Sequence, residues 1–306
     1  MNVYLNKESV FPRPLKPGDT IAICSPAGPI DPSKVHKAAR VLEEHGWKVR
    51  IMPHALGRHG NYAASDDERF ADLRDALADP EVRAIVCSRG GYGVVHIIDR
   101  LNSLDLTSDP KWIVGFSDIS ALHALMASKG IASVHASMAA HIAKGASDPD
   151  NIRLFDILEG RREPFAFPGN RHDRPGVGSG RLLGGNLAVL ADLIKTRYDI
   201  LLPGTILFIE DVAEPIYKIE RILYQLRISG VLGMLNGLIV GQFTDYKADA
   251  SYKTMEDMIA DMVSPYRYPV AFDVPVGHVE HNVPLIENAE VTLKVTTTGR
   301  NFLIYQ

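Results

Sequence analysis

Residues 112–130 read WIVGFSDISALHALMASKG, which is an apolar run, a turn around Ser117 and a helical segment that stops at Gly130. A run without alternating polar positions predicts a strand buried on both faces, as in parallel sheets. The helix after it supplies the crossover that the next parallel strand requires. This strand–turn–helix unit therefore predicts an α/β architecture.

Comparable units recur through the first half of the chain. The helix after Asp31 has Pro32 at its first position, and the helix after Ser65 has Glu68 at capping-box spacing. Further apolar strands are predicted at TIAIC (20–24), WKVRIM (47–52), VRAIVCS (82–88) and IASVH (131–135). The alternation predicts an N-terminal doubly wound parallel-sheet domain over residues 1–160.

The remainder of the chain changes character twice. Residues 161–180 are rich in proline, glycine and arginine and show neither the helical nor the strand period, so they are expected to be a linker. Residues 181–306 mix apolar strands with amphipathic helices and end in an alternating pattern around TTGR (297–300), which predicts a hairpin. We expect a smaller, mixed α/β C-terminal domain with antiparallel strands.

Composition excludes several classes of function. Among the 306 residues the net charge is −4 with both signs dispersed, which disfavours a nucleic-acid partner. No run reaches the roughly 18–20 apolar residues of a membrane span, and no signal peptide is evident, so a cytoplasmic location is expected. The two cysteines, Cys24 and Cys87, end apolar runs and are expected to be buried thiols.

Three predicted strands end in turns that suit a ligand site. These turns are CSPAGP (24–29), SRGGYG (88–93) and GFSD (115–118). In a doubly wound sheet, ligands bind beyond the carboxyl ends of the strands. The glycine pair in RGGYG either leaves backbone N–H groups free to donate or only forms a tight turn, and spacing alone does not separate these alternatives. No phosphate-binding fingerprint is present.

Ser117 has two local interpretations. A serine between a strand and a helix commonly caps the helix, and the local pattern favours that interpretation. The alternative is a nucleophile elbow, which exposes the hydroxyl at a sharp turn. Ile119 stands where the G-x-S-x-G motif requires glycine, so the pattern is not that of an α/β-hydrolase.

A serine nucleophile needs a base and a group that orients the base. The candidate bases are His123 and His135, which follow Ser117 closely, and His278 and His281 in the loop segment DVPVGHVEHNVPL (273–285). The HVEH segment lacks the H-E-x-x-H spacing of a zinc site, so no metal is expected.

The carboxylate candidates end the strand LFIED (207–211). Glu210 or Asp211 would orient the base, since a carboxylate at a strand end is costly to bury without a partner. Asp211 equally suits a cap for the following helix EPIYKIERIL (214–223).

Six motifs in register resemble the LD-carboxypeptidases, a serine peptidase family that includes the microcin C7 self-immunity protein. The motifs are SPAGP (25–29), RGGYG (89–93), GFSD (115–118), GGNL (184–187), FIED with EPIY (208–217), and PVGH with NVPL (275–285). The resemblance extends from about residue 14 to the C-terminus. It is therefore a resemblance of nearly the whole chain.

The resemblance implies which residues carry out the catalysis. It assigns Ser117 as the nucleophile, Glu210 as the acid and His278 as the base, and so it selects Glu210 over Asp211 and His278 over His281. The nucleophile and the acid–base pair stand in different halves of the chain, so the site is expected where the two domains meet.

The resemblance also implies which groups bind the oxyanion. The backbone N–H groups of Gly90 or Gly91 and of Asp118 are expected to form the oxyanion hole. Apart from the resemblance, Asn186 is expected to bind substrate because it stands at a predicted helix start. An arginine is the natural partner for the terminal carboxylate, and Arg89 is the candidate, with Arg181 as an alternative.

By resemblance, the activity is hydrolysis of the L-residue–D-alanine bond of murein tetrapeptides during peptidoglycan recycling. The reaction would pass through an acyl-enzyme and require no metal or organic cofactor, and the protein would be a homodimer. One alternative is hydrolysis of peptidyl- or aminoacyl-nucleotides, as in microcin C7 immunity. Another is a non-catalytic small-molecule-binding protein. Catalysis by Cys24 or Cys87 is disfavoured because no histidine neighbours either one.

Overall fold

The structure, a computed structural model, describes residues 8–306. The chain divides into two units. Unit 1 contains the described residues up to Arg162 together with Val283–Ile286, and unit 2 contains Glu163–Asn282 and Glu287–Gln306.

Unit 1 is built on a six-stranded sheet. Its strands along the first part of the chain are β1 (Thr20–Cys24), β2 (Lys48–Ile51), β3 (Val82–Cys87), β4 (Trp112–Gly115) and β5 (Ser133–His135). A late strand, β11 (Leu285–Glu287), completes the order β11-β5-β4-β3-β1-β2. The pairs β1–β2, β1–β3, β3–β4 and β4–β5 are all parallel, which confirms the predicted parallel sheet.

Six helices accompany these strands in the described part of unit 1. They are α1 (Pro32–Glu44), α2 (Asp66–Ala78), α3 (Ile98–Asn102), α4 (Ser120–Ser128), α5 (Ala139–Ile142) and α6 (Pro149–Leu158), with short 3₁₀ helices at Val94–His96 and Ser117–Ile119. The predicted starts of two helices are present. Asp31 accepts a hydrogen bond from the backbone N–H of Ser33, and Ser65 and Glu68 form a reciprocal capping box.

Unit 2 is built on a seven-stranded mixed sheet. Its strands are β6 (Phe165–Pro168), β7 (Gly176–Asn186), β8 (Ile206–Val212), β9 (Gly237–Thr244), β10 (Val270–Ala271), β12 (Glu290–Val295) and β13 (Arg300–Tyr305), in the order β10-β9-β8-β7-β12-β13-β6. Its helices are α7 (Leu187–Ala191), α8 (Ile216–Ile228) and α9 (Met255–Val263), with a 3₁₀ helix at Leu232–Met234.

The long strand β7 joins two kinds of pairing in this sheet. It pairs in parallel with β8 and antiparallel with β12. The predicted C-terminal hairpin is present as the antiparallel pair β12–β13. The mixed α/β class expected for the second half, with antiparallel strands, is therefore confirmed.

The expected linker at 161–180 is instead part of this sheet. It contains β6 and the beginning of β7. Its glycines reflect close packing, since a Cβ atom on Gly178 would lie 1.9 Å from the carbonyl oxygen of Asn236. The helix predicted to start near Asn186 is α7, which begins at Leu187 because β7 continues through Asn186.

Within residues 8–306, no helix combines the length and the apolar character that a membrane span requires.

Candidate active site

In unit 1, the turns that follow β1, β3 and β4 converge. The backbone N–H of Gly28 donates to the carbonyl oxygen of Gly90 at 2.9 Å. A Cβ atom on Gly91 would lie 3.2 Å from Gly28. Because β4, β3 and β1 are adjacent in the sheet, their carboxyl ends bring these turns together, as the sequence predicted.

Ser117 lies in a strained turn. Its φ is +65°, in the left-handed region that residues other than glycine rarely adopt. The residue opens the 3₁₀ helix, whose N-cap residue is Phe116 and which has no side-chain cap. The prediction that Ser117 caps the helix is therefore wrong. Backbone strain of this kind is concentrated at active sites.

The glycine-rich turn lies directly against the serine. A Cβ atom on Gly90 would lie 2.7 Å from the Cβ of Ser117 and 2.9 Å from its Oγ. Gly91 has a φ of +116°. The turn therefore needs glycine at Gly90 for space and at Gly91 for conformation.

Asp118 has a buried side chain and a backbone N–H at a helix start. The N–H belongs to the first turn of the 3₁₀ helix, where amides lack intrahelical partners. The carboxylate accepts a hydrogen bond from the backbone N–H of Val94 at 2.9 Å. Burial raises the pKa of Asp118 to about 6, against the opposing effect of that hydrogen bond.

In unit 2, a hydrogen bond joins the side chains of Glu210 and His278. Glu210 lies in β8 and is fully buried, and its Oε2 accepts a hydrogen bond from His278 Nδ1 at 2.8 Å. The His278 side chain is 22% exposed. With Nδ1 as the donor, Nε2 keeps its lone pair and is able to accept a proton. No residue of the described range 8–306 donates to Oε1 of Glu210.

The backbone around this pair is adapted to the carboxylate. Gly277 has a φ of +127°, and a Cβ atom there would lie 2.9 Å from Oε2 of Glu210. The N–H of Gly277 donates to the side-chain oxygen of buried Asn282 at 2.9 Å. The conformation of the loop that carries His278 therefore requires glycine at the position before the histidine.

Asp211, the other carboxylate candidate, has a structural role. It accepts hydrogen bonds from the N–H of Ala188 at 2.8 Å and from Nδ2 of Asn186 at 2.9 Å. It therefore ties β8 to the start of α7, and the expectation that it caps the helix after β8 is wrong. Burial raises the pKa of Asp211 to about 6.

Asn186 and Arg89 were expected to bind substrate. Asn186 is the N-cap of α7, since its Oδ1 accepts from the N–H of Val189 at 3.1 Å. Its contact with substrate stays a prediction. Arg89 is exposed and donates from Nη1 to the carbonyl oxygen of Pro29 at 2.8 Å, next to the convergent turns.

Two of the remaining histidine candidates are buried in unit 1. His123 contacts Ser133 Oγ through Nδ1 at 2.8 Å and the carbonyl oxygen of Gly115 through Nε2 at 2.9 Å. Burial lowers the pKa of His123 to about 4. Both ring nitrogens of His123 are engaged, and His135 packs beside Phe116 with ring centroids 5.8 Å apart. His281 in unit 2 is exposed.

Both cysteines are buried free thiols. Burial raises the pKa of Cys24 and of Cys87, so neither has the thiolate character of a catalytic cysteine.

One cluster of metal-ligand side chains occurs within residues 8–306. It consists of His141, Asp148 and Asp150, whose ligand atoms lie within 4.8 Å of one another. His141 Nε2 lies 2.9 Å from Asp148 Oδ1, and Asp148 caps α6. A hydrogen bond and a helix cap account for this arrangement, and we assign no metal to it.

Arg69 is the residue near the site that sequence reasoning missed. It is 1% exposed and donates from Nη1 to the carbonyl oxygens of Pro26 and Gly93. Its signal in the sequence is an arginine on the buried face of α2, four residues before Leu73. A buried arginine at such a position needs partners, and here they are the carbonyl oxygens of two site turns.

Comparison with known proteins relates both halves of the chain to one family. The family model described as the LD-carboxypeptidase N-terminal domain matches residues 21–136. The model of the LD-carboxypeptidase C-terminal domain matches residues 179–293. A relative from Pseudomonas aeruginosa, named murein tetrapeptide carboxypeptidase, is 30% identical over 86% of this chain and 89% of its own length.

Solved structures show the same fold. The crystal structure of muramoyltetrapeptide carboxypeptidase from Oxalobacter formigenes matches with a TM-score of 0.82 at 28% identity, covering 94% of this chain and 98% of that one. The microcin C7 self-immunity protein MccF, in complex with aspartyl sulfamoyl adenosine, matches with a TM-score of 0.84 at 18% identity, covering 97% and 98%. At that identity the second likeness concerns the fold alone.

Proposed function

The chain belongs to the LD-carboxypeptidase family of serine peptidases, and from this premise we propose that it hydrolyses the L-residue–D-alanine bond of murein tetrapeptides. The observation that carries the proposal is the left-handed conformation of Ser117 beside Gly90. Such strain is costly, about 1–3 kcal/mol, and it presents a hydroxyl at a sharp turn.

We propose Ser117, His278 and Glu210 as the catalytic triad. His278 Nε2 takes the proton of Ser117, and the serine oxygen attacks the carbonyl carbon of the scissile bond. Glu210, which accepts from Nδ1, orients the ring and stabilises the imidazolium. The mechanism requires Nε2 within about 2.6–3.2 Å of Ser117 Oγ in the reacting complex.

The oxyanion is proposed to bind the N–H groups of Gly90 or Gly91 and of Asp118. No described residue of unit 1 accepts a backbone hydrogen bond from Gly90 or Gly91. One such donor contributes about 3–4 kcal/mol in related chemistry. His278 then protonates the amine of the departing D-alanine, and water hydrolyses the acyl-enzyme with His278 again as the base.

We propose that Arg89 binds the C-terminal carboxylate of the tetrapeptide. Its guanidinium is exposed, and its contact with Pro29 leaves further N–H donors for a planar bidentate pair with a carboxylate. We also propose that the protein acts in the cytoplasm. We further propose that it is a homodimer, and light scattering on the purified protein would test this oligomeric state.

The experiment is an assay of D-alanine release from a synthetic murein tetrapeptide, with an otherwise identical peptide ending in L-alanine as the control. We expect release from the first peptide only. Ser117→Ala should lower kcat by about 10⁴–10⁶-fold with an unchanged circular dichroism spectrum.

Three outcomes would contradict the proposal. Near-normal turnover by the Ser117→Ala variant would exclude the serine mechanism. Hydrolysis of aspartyl sulfamoyl adenosine but not of the tetrapeptide would favour the nucleotide-directed alternative. Tetrapeptide binding without any product would indicate a non-catalytic binding protein.

A further inference from the structure

One peptide group of the glycine-rich turn is held between two buried charges. The carbonyl oxygen of Gly93 accepts a hydrogen bond from Arg69 Nη1 at 2.9 Å. The N–H of the same peptide, on Val94, donates to Asp118 Oδ2 at 2.9 Å. The cation therefore binds one side of the Gly93–Val94 peptide, and the anion binds the other.

Both charged side chains are enclosed. Arg69 is 1% exposed and Asp118 is 4% exposed. Arg69 also donates to the carbonyl oxygen of Pro26 and pairs with Asp66. The arginine thus joins the turn after β1 to the turn after β3, while Asp118 joins the turn after β3 to the residue next to Ser117.

The turn contains two glycines in conformations that other residues rarely adopt. Gly91 and Gly93 have φ values of +116° and +133°, and glycine at such positions gains conformational freedom on release. A Cβ atom on Gly93 would lie 2.8 Å from Arg69 Nη1, so the turn packs tightly on the arginine. Backbone N–H donors stabilise an oxyanion most when they already point towards its position before the reaction begins.

Burying the carboxylate of Asp118 is unfavourable by itself. Desolvation raises its pKa to about 6, while the Val94 hydrogen bond and the nearby charges of Arg69 and His96 act in the opposite direction. Its other titratable neighbour is the thiol of Cys87 on β3. The ionised form therefore predominates at neutral pH, and its burial lowers the stability of the fold relative to a neutral side chain.

We propose that Arg69 and the side chain of Asp118 are positioning residues that clamp the Gly93–Val94 peptide and so hold turn 89–94 in its oxyanion-binding conformation. This inference rests on the proposed function. It adds a role for the Asp118 side chain to that of its backbone N–H.

The test compares Asp118→Asn with Asp109→Asn in the full-length protein, using the synthetic tetrapeptide. Asp109 serves as the control, because its half-exposed carboxylate pairs with two buried cations of unit 1, Arg83 and Lys111, and no hydrogen bond or ion pair links it to the three turns in the described structure. We expect Asp118→Asn to lower kcat about 10- to 100-fold with KM changed less than about threefold.

The thermal stability of the two variants should follow the opposite order from their kcat values. A carboxyl group whose pKa is raised on folding stabilises the protein when protonated, and this contribution is lost as pH rises through about 6. A neutral asparagine should therefore leave the thermal midpoint at pH 7.5 equal to or above that of wild type. Asp109→Asn should lower the midpoint, since it leaves buried cations unpaired, and should keep kcat.

The pH dependence supplies a third measurement. Protonation of the proposed base also lowers activity in acid, so the informative quantity is the ratio of wild-type to Asp118→Asn kcat between about pH 5 and pH 8. The ratio should be largest at neutral pH and fall towards one below about pH 6, where wild-type Asp118 is also neutral. Arg69→Lys keeps the charge but donates to fewer acceptors. It should lower kcat by a larger factor than it changes KM.

Equal kcat values for Asp118→Asn and wild type, or a ratio that does not change with pH, would overturn the clamp. Loss of kcat only in proportion to loss of folded protein would do the same. These outcomes are distinct from failure of the proposed function, which would appear as an active Ser117→Ala variant whatever the Asp118 variants do.

Discussion

The two halves of the proposed site are prepared in different ways. In unit 1, Ser117 and the glycine-rich turn depend on backbone conformation, with left-handed φ values and close approaches that allow no Cβ. In unit 2, Glu210 and His278 depend on an already formed side-chain hydrogen bond at 2.8 Å, with the carboxylate fully buried.

The difference follows from the chemistry each half would supply. A nucleophile and oxyanion donors need fixed directions in space, which backbone geometry provides. A base needs a defined tautomer and a compensating charge, which a buried carboxylate provides. We therefore expect unit 1 to be sensitive to added volume and unit 2 to be sensitive to removed charge.

Among the variants that test this contrast between the units, the largest effect is expected from Glu210→Gln. The amide keeps the shape of the side chain but removes its charge and is able to favour the wrong tautomer of His278, so kcat should fall about 10³–10⁴-fold. The matched control is Asp211→Asn at the adjacent position, which should cost less than about tenfold because Asp211 holds α7 and not His278. Steady-state kinetics with the tetrapeptide would measure both. Equal losses in the two variants would contradict the assignment of Glu210.

An intermediate effect is expected from Gly90→Ala. The added Cβ would lie 2.7 Å from the Cβ of Ser117, so the turn must move and the oxyanion donors with it. We expect kcat to fall about 10²-fold. Gly233→Ala is the control, because this exposed glycine in unit 2 has no positive φ and its added Cβ would approach only the ring of Tyr266 at 3.2 Å. A Gly90→Ala variant as active as that control would show that the turn does not take part.

The smallest effect concerns stability. Because Ser117 is strained, Ser117→Gly should be more stable than Ser117→Ala by about 0.5–1 kcal/mol, since glycine adopts a φ near +65° without penalty. Urea denaturation of the two variants would measure the difference, and neither has a hydroxyl to complicate the comparison. Equal stabilities would indicate that the turn relaxes, and the contrast between the units would then rest on side chains alone.

Much of unit 1 was predictable because its patterns are local. The buried strands, the capping box at Ser65 and the turns after three parallel strands are all encoded in short segments. Unit 2 was less so. Residues 161–180 resembled a linker because glycine recurs at 176, 178 and 180, and the reason for glycine at 178 lies in the distant Asn236.

The candidate residues show the same division. The local pattern around Ser117 favoured a helix cap, and the family resemblance selected the nucleophile interpretation, which is consistent with a φ of +65° and the missing side-chain cap. The choice of Glu210 over Asp211 also came from the resemblance. The structure adds a physical difference between them, since one carboxylate meets His278 and the other meets the start of α7.

The sequence by itself determined the α/β class, the positions of most helices and strands, and the family to which the chain belongs. These follow from hydrophobic period, capping residues and motif order, all of which are readable along the chain. Only the tertiary structure decided that Ser117 is strained, that β6 and β7 belong to a sheet, and that Arg69 and Asp118 hold one peptide between them. Such features depend on contacts between residues far apart in sequence, where packing and burial, and not local preference, set the conformation and the charge.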